Sequence, residues 1–230
     1  MAPVEGTVTA LAERLAGRLE DVRERLRTAG AEPGRVRIVA VTKGFGPEAV
    51  AAAAAAGLTD IGENYAAELL AKTSSFGGAG LCWHFLGAVQ RNKVRALAPV
   101  VHLWQGVARL VEGEAIAWWA PGSAVLVQVD VTGRPGRQGV APGAAGELVE
   151  ALRSLGLDVR GLMAVGPPGP PEGARPGFRL LARLGADLGL AELSMGMTDD
   201  LEVAVEEGAT MVRIGRALLG ARPRPPKLPE

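Results

Sequence analysis

Apolar residues recur at three- and four-residue steps in Val8, Leu11, Leu15, Leu19, Val22 and Leu26. That stripe predicts an amphipathic helix, with Gly30 at its C-terminal stop and Pro33-Gly34 as the turn that follows. The pattern then changes to Val36-Arg37-Ile38-Val39-Ala40-Val41, a short β-branched run that predicts a strand buried on both faces. The same beat repeats along the chain. Helices are predicted over Pro47–Ala56, Tyr65–Lys72, Gln90–Ala98, Val107–Trp119, Ala144–Leu155, Phe178–Leu188 and Asp199–Glu207, with a last short helix from Arg216. Between them fall strands at Thr59–Gly62, Cys82–Leu86, Val100–Trp104, Ala124–Val131, Val159–Ala164, Glu192–Ser194 and Met211–Ile214. A Gly-rich loop (Gly77, Gly78, Gly80) and a Pro/Gly-rich loop from Gly166 to Gly177 interrupt this rhythm without breaking it.

Eight strands, each followed by a helix, imply a parallel sheet with helical crossovers. Eight repeats fit closure into a single (β/α)8 TIM-type barrel with one extra N-terminal helix. The rival is an open doubly wound sheet, but its early Gly-x-Gly-x-x-Gly turn is absent. The expected division is a helix and turn at 1–34, a barrel at 35–222 and a Pro-rich tail at 223–230, all within one domain.

Composition narrows the function classes. The chain has 230 residues, 48% of them hydrophobic and 22% charged, with a formal net charge of +0. A balanced charge lacks the basic footprint of a nucleic-acid binder. The single cysteine, Cys82, excludes an intramolecular disulfide and suits a reducing cytoplasm. Met1 to Ala10 carries no signal-peptide pattern, and Ala49 to Ala56 is too short and weakly apolar to span a bilayer. The run Ala51 to Ala56 reads as helix propensity and packing.

In such barrels the site forms at the C-terminal ends of the strands, and polar residues gather there. Thr42-Lys43-Gly44 follows the first strand, Gly62-Glu63-Asn64-Tyr65 the second, and His84 lies in the third. Ser194-Met195-Gly196 follows the seventh and Gly215-Arg216 the eighth. Lys43 is the centre of this set. A lysine at a strand end can simply snorkel to solvent; against low-dielectric walls its amine becomes a nucleophile toward an aldehyde. Position alone leaves both readings open. Ser194, Gly196 and Gly215 at adjacent strand ends suit a phosphate cradle, although each glycine by itself also serves a tight turn. His84 and Asn64 fall at the same rim, where a lone His is more often structural. No cluster with metal-ligand spacing stands out along the chain. The Asp199-Asp200 pair most simply caps the following helix.

Several strings resemble the pyridoxal 5′-phosphate (PLP) homeostasis proteins, of the alanine racemase N-terminal-domain type. They are Ala40-Val41-Thr42-Lys43, Gly62-Glu63-Asn64-Tyr65, Trp83-His84-Phe85-Leu86-Gly87 with Gln90-x-Asn92-Lys93, and Gly161-Leu162-Met163-Ala164. Leu193-Ser194-Met195-Gly196-Met197-Thr198-Asp199-Asp200 and Met211-Val212-Arg213-Ile214-Gly215 with Gly220-Ala221-Arg222 complete the series. The likeness runs in order over nearly the whole chain. It implies that Lys43 carries PLP as a Schiff base and that Ser194, with the neighbouring Met195-Gly196 turn and the backbone at Gly215 and Arg216, holds the phosphate. It also implies that Arg213 faces the pyridine nitrogen and that Asn64 and His84 line the ring. The family usually has Thr at the position of Arg216. What the resemblance implies is a role in vitamin B6 homeostasis without established turnover, for a cytoplasmic monomer whose partners are PLP and PLP-requiring apo-enzymes. The alternatives are a PLP-dependent amino-acid racemase, a barrel enzyme using Lys43 on a phosphorylated sugar without PLP, and a non-catalytic interaction protein. Racemisation needs a base on the second face of the substrate, and Tyr65 is the only tyrosine.

Overall fold

The computed structural model describes residues 5–32, 34–76 and 80–222. Pro33, Gly77, Gly78 and the tail at 223–230 lie outside the described residues. Helix α1 (Glu5–Thr28) leads into β1 (Arg37–Val41), α2 (Pro47–Ala55), β2 (Asp60–Glu63), α3 (Ala66–Phe76), β3 (Cys82–Phe85), α4 (Arg91–Leu97) and β4 (Leu103–Val107). Then follow α5 (Leu110–Trp119), β5 (Ala124–Gln128), α6 (Ala145–Ser154), β6 (Asp158–Met163), α7 (Arg175–Asp187), β7 (Glu192–Ser194), α8 (Leu201–Glu206), β8 (Met211–Ile214) and α9 (Arg216–Leu219). The eight strands pair in sequence order, all parallel, and β1 closes on β8. The expected (β/α)8 barrel with an extra N-terminal helix is therefore the fold.

Alternation along each strand separates two cores. Outward residues such as Trp83, Phe85, Trp104, Val125, Leu162 and Val212 pack against the helices in one continuous apolar mantle, joined by Leu15, Leu19, Ile116, Leu152 and Phe178. Inward residues form a second, smaller cluster of Val39, Leu103, Ala124, Leu126, Met163 and Met211. Four further inward positions are polar and buried: His84, Gln105, Ser194 and Arg213.

Several boundaries differ from the pattern reading, those of β4, β5 and α7 by three residues. Strand β4 lies three residues later than Val100–Trp104. The amides of Val100 and Val101 both bond back to the Leu97 carbonyl and finish α4, while Gln105 and Gly106 extend the strand. Strand β5 stops at Gln128 rather than Val131, because the chain beyond it pairs with its own loop: Asp130 donates to the Val140 carbonyl at 2.9 Å. Helix α7 starts at Arg175, since Pro176 in the first turn needs no amide partner there. The loop before it contains a short 3-10 turn at Pro171–Ala174.

Helix α1 braces the C-terminal rim. It packs on α2, α8 and α9. Arg25 forms a bidentate pair with Glu202 (2.6 and 2.8 Å) and also donates to the Thr198 carbonyl at 2.8 Å. Among the described residues no helix is long and apolar enough to cross a membrane.

Candidate functional site

Lys43 sits in the turn between β1 and α2, and its backbone is clamped on both sides. Lys72 of α3 donates to the Thr42 carbonyl at 2.8 Å. Glu68, one turn earlier on the same helix face, accepts from the Gly44 amide at 2.7 Å. Gly44 turns with φ +76°, a conformation glycine adopts without penalty. Beneath the clamp lies a buried ion pair. Glu63 Oε1 accepts from Lys72 at 2.5 Å and from the Thr42 hydroxyl at 2.5 Å, while its Oε2 has no partner among the described residues. Burial pushes the Glu63 carboxyl above its ordinary range.

The Lys43 side chain, by contrast, makes no hydrogen bond among the described residues and lines a cavity of about 710 Å³ at the barrel mouth. Burial holds its amine below the usual lysine range, and the cations Arg222 and Arg213 push it the same way. Asn64, Arg213, Gly215 and Arg216 line the same cavity. Asn64 Oδ1 is buried without a partner among the described residues, an arrangement that leaves an acceptor for a ligand donor. Gly87 must be glycine where it passes the Asn64 backbone: a Cβ there would meet the Asn64 carbonyl oxygen at 2.1 Å. The walls carry Lys43, Arg137, Arg213, Arg216 and Arg222 against only Asp130 and Asp199, so the cavity favours an anion.

Arg213 is buried on the lumen side. Its Nη1 donates to the Ser194 carbonyl (2.7 Å) and hydroxyl (2.8 Å), and its Nη2 to the Ala164 carbonyl (2.7 Å). Burial lowers its pKa to about 10, so it stays charged at neutral pH.

Four expected site residues lie outside the cavity lining. His84 is fully buried in the lumen between Asp60 and Gln105. Ser194 is also fully buried, with its hydroxyl held by Gln105 (2.6 Å) and Arg213. Met195 packs into the mantle. Gly196 has φ +91° and its carbonyl accepts from the Arg213 amide at 3.0 Å. The strand periodicity placed these residues correctly along the chain but not in depth. Their neighbours take the wall instead: Met197, Thr198 and Asp199. Thr198 Oγ1 accepts from the Ala217 amide at 3.2 Å, beside Gly215 and Arg216, whose own amides bond to nothing among the described residues.

The Asp199-Asp200 pair does not cap α8 with its side chains. Asp200 reaches back to the Met197 amide at 2.6 Å, and Asp199 pairs with the Arg216 guanidinium. The structure also joins Asp60, Cys82 and His84, whose ligand atoms lie within 4.8 Å of one another. Linear spacing hid this group because it spans two strands paired at Asp60↔Cys82 and Gly62↔His84. His84 Nε2 is committed to Asp60 there, and the Arg37 guanidinium stands 3.8 Å from the same carboxylate.

Fold and site together define a (β/α)8 barrel whose mouth presents a lysine amine, kept short of its usual basicity, inside an anion-accepting cavity. The chain matches the alanine racemase N-terminal domain over residues 17–223. It is 41% identical to the pyridoxal phosphate homeostasis protein of Pseudomonas aeruginosa over 223 residues, covering 94% of this chain and 97% of that one. It is 33% identical to the protein of the same name in Escherichia coli, over 90% of this chain and 97% of that one. PipY of Synechococcus elongatus, solved with PLP bound, superposes with a TM-score of 0.78 at 30% identity, over 90% of this chain and 100% of that one. The chain belongs to the pyridoxal phosphate homeostasis protein family, built on the alanine racemase N-terminal-domain fold.

Proposed function

We propose that the chain holds PLP on the Lys43 amine and serves vitamin B6 homeostasis as a carrier, without turning over an amino acid. One observation carries the reading: the Lys43 amine, lowered in pKa and free of hydrogen bonds among the described residues, lines a cationic cavity beside the unpartnered Asn64 Oδ1. PLP, when bound, supplies an aldehyde for that amine, a dianionic phosphate and a visible chromophore. The Gly215 and Arg216 amides, with Thr198 beside them, are free to donate to the phosphate. Arg213 places a fixed cation at the cavity wall, and a cation facing the ring nitrogen keeps that nitrogen unprotonated and weakens the ring as an electron sink. The relatives' name and the PLP-bound PipY structure support the cofactor.

The absence of turnover is supported by the bases on offer. Tyr65 is 59% exposed and stands outside the cavity lining. Asp130 is held below the usual carboxylate range by the Thr132 hydroxyl and amide, which makes it a weak base. Asp199 is paired with Arg216. One positioned base is worth roughly a hundred- to ten-thousand-fold in rate. The test is to incubate PLP-loaded protein with single L-amino acids and to follow the D-isomer and CO₂. No turnover is expected; about one event per second or more, an ordinary enzyme rate, would return the racemase reading. The same reading takes the chain as a cytoplasmic monomer that hands PLP to apo-enzymes, measurable as activity restored to a PLP-requiring apo-enzyme mixed with the loaded protein.

A further inference from the structure

A line of buried side chains crosses the barrel lumen, and the cavity at the mouth touches only its first member. Arg213 Nη1 donates to Ser194 Oγ at 2.8 Å. The Ser194 hydroxyl has one hydrogen, and Gln105 Oε1 lies 2.6 Å away to accept it. The other end of the Gln105 amide meets His84 Nδ1 at 2.7 Å and Met211 Sδ at 3.1 Å. His84 Nε2 meets Asp60 Oδ1 at 2.9 Å, at the far end of the barrel. His84, Gln105 and Ser194 are 0% exposed and Arg213 5%, so water has little access to replace a lost partner.

The neighbours settle which way the Gln105 amide faces. A thioether sulfur can only accept, so the amide nitrogen belongs on the side of Met211 and His84. A donor aimed at His84 Nδ1 needs that nitrogen bare. The one proton of a neutral imidazole then sits on Nε2, where Asp60 accepts it. Every bond therefore points the same way, from the guanidinium at the mouth to the carboxylate at the far end, and bonds aligned in this manner strengthen one another. A reversed amide would leave Met211 Sδ facing a carbonyl oxygen and the Ser194 proton without an acceptor in the line.

We propose that Gln105 is a positioning residue for the cavity. Its Oε1 accepts the hydrogen bond of the Ser194 hydroxyl, which turns the oxygen's lone pairs toward Arg213 and holds the guanidinium at the wall. The His84 tautomer, anchored by Asp60, fixes the amide that does this. The chain of bonds stands on its own geometry; its effect on cofactor retention rests on the Lys43 reading above.

The test uses ¹⁵N-labelled full-length protein without cofactor. His84 and His102 are the only histidines, so long-range ¹H–¹⁵N spectra of their rings can be assigned. His102 is an internal control, because its Nδ1 accepts from the Trp83 amide at 3.1 Å and not from Gln105. Wild-type His84 should carry its proton on Nε2. Gln105→Glu, which keeps an acceptor for Ser194 but replaces the donor at His84, should put a proton on Nδ1 and leave His102 unchanged. A neutral wild-type His84 protonated on Nδ1, or a folded Gln105→Glu with unchanged His84 signals, overturns the chain. The wild-type spectrum decides its direction even if a variant folds poorly. Gln105→Leu should weaken PLP retention about fivefold, the scale of one net hydrogen bond; wild-type retention in that folded variant overturns the link to the cavity. Failure of the wild-type protein to take up PLP would contradict the Lys43 reading, while the His84 spectra would still decide the direction of the bonds.

Discussion

The mantle around the barrel and the lumen inside it are made from alternate residues of the same eight strands, but the lumen joins a small apolar cluster to a line of buried polar groups that the mantle lacks. Trp83 and Phe85 on β3 face the mantle; His84 between them faces the lumen. Val212 and Ile214 on β8 face the mantle; Arg213 between them faces the lumen. The mantle holds apolar side chains that need only fit together. The lumen holds polar groups that each need a named partner, because burying one without a partner is costly. Stability is concentrated in the first region and the placement of cavity groups in the second.

Substitutions in each region test the contrast. The largest effect belongs to the mantle. Phe178→Ala removes a fully buried ring and should cost about 3–5 kcal/mol in denaturant unfolding. PLP uptake per folded molecule, measured well below the transition, should not change.

Next comes the buried ion pair under Lys43. Lys72→Met strands the buried Glu63 carboxylate and should cost about 3 kcal/mol or more. Adding Glu63→Leu should restore most of that loss, because two apolar side chains replace a buried pair at little cost. Uptake of PLP should remain slower than wild type in the double variant, since the clamp on the Thr42 carbonyl is still missing. Recovery of the wild-type rate would show that the clamp does not position Lys43.

A smaller effect is expected at the rim. Arg216 is largely exposed and paired with Asp199, and exposed pairs of this kind are worth about 0–1 kcal/mol. Arg216→Ala should reduce PLP affinity by less than about tenfold. Complete loss would mean that the guanidinium, rather than the backbone, carries the phosphate.

The smallest effect is a shift in pH. Arg222 is one of the cations that lower the Lys43 pKa. A lower pKa leaves more neutral amine at a given pH, and neutral amine is the reacting form. Arg222→Ala should therefore raise the Lys43 pKa and move half-maximal uptake rate to higher pH, read from stopped-flow absorbance at a series of pH values. A shift to lower pH would contradict the electrostatic account.

The same contrast explains how far the sequence could be read. Alternating runs of apolar residues located the mantle face of the strands, so the barrel was legible, and β7 and β8 fall at the expected residues. The reading weakened where the lumen turned polar. In β4 the apolar run ended at Trp104, yet the strand continues through Gln105, whose amide the lumen requires. Lys43, Asn64, Arg213, Gly215 and Arg216 were placed at the mouth because they follow or end strands. His84 and Ser194 lie on other strands, β3 and β7, and sit deeper; no pattern along one strand reports depth in a closed barrel. Glu63 and Lys72 lie nine positions apart on a strand and the next helix, and only their shared burial reveals the pair. Thr198 stood inside a recognised string, where the neighbouring Ser194 was the more conspicuous hydroxyl.

Lys43, and no other lysine, is proposed to present the reactive amine. The chain also has Lys72, Lys93 and Lys227. Lys72 is held in the Glu63 pair with its amine bonded to the Thr42 carbonyl, which leaves it a poor nucleophile. Protein loaded with PLP, reduced with borohydride, digested and mapped by mass spectrometry should carry the label on the peptide containing Lys43, and Lys43→Ala should carry none. Label on Lys72, Lys93 or Lys227 of the wild-type protein, or an undiminished label in Lys43→Ala, would contradict the account.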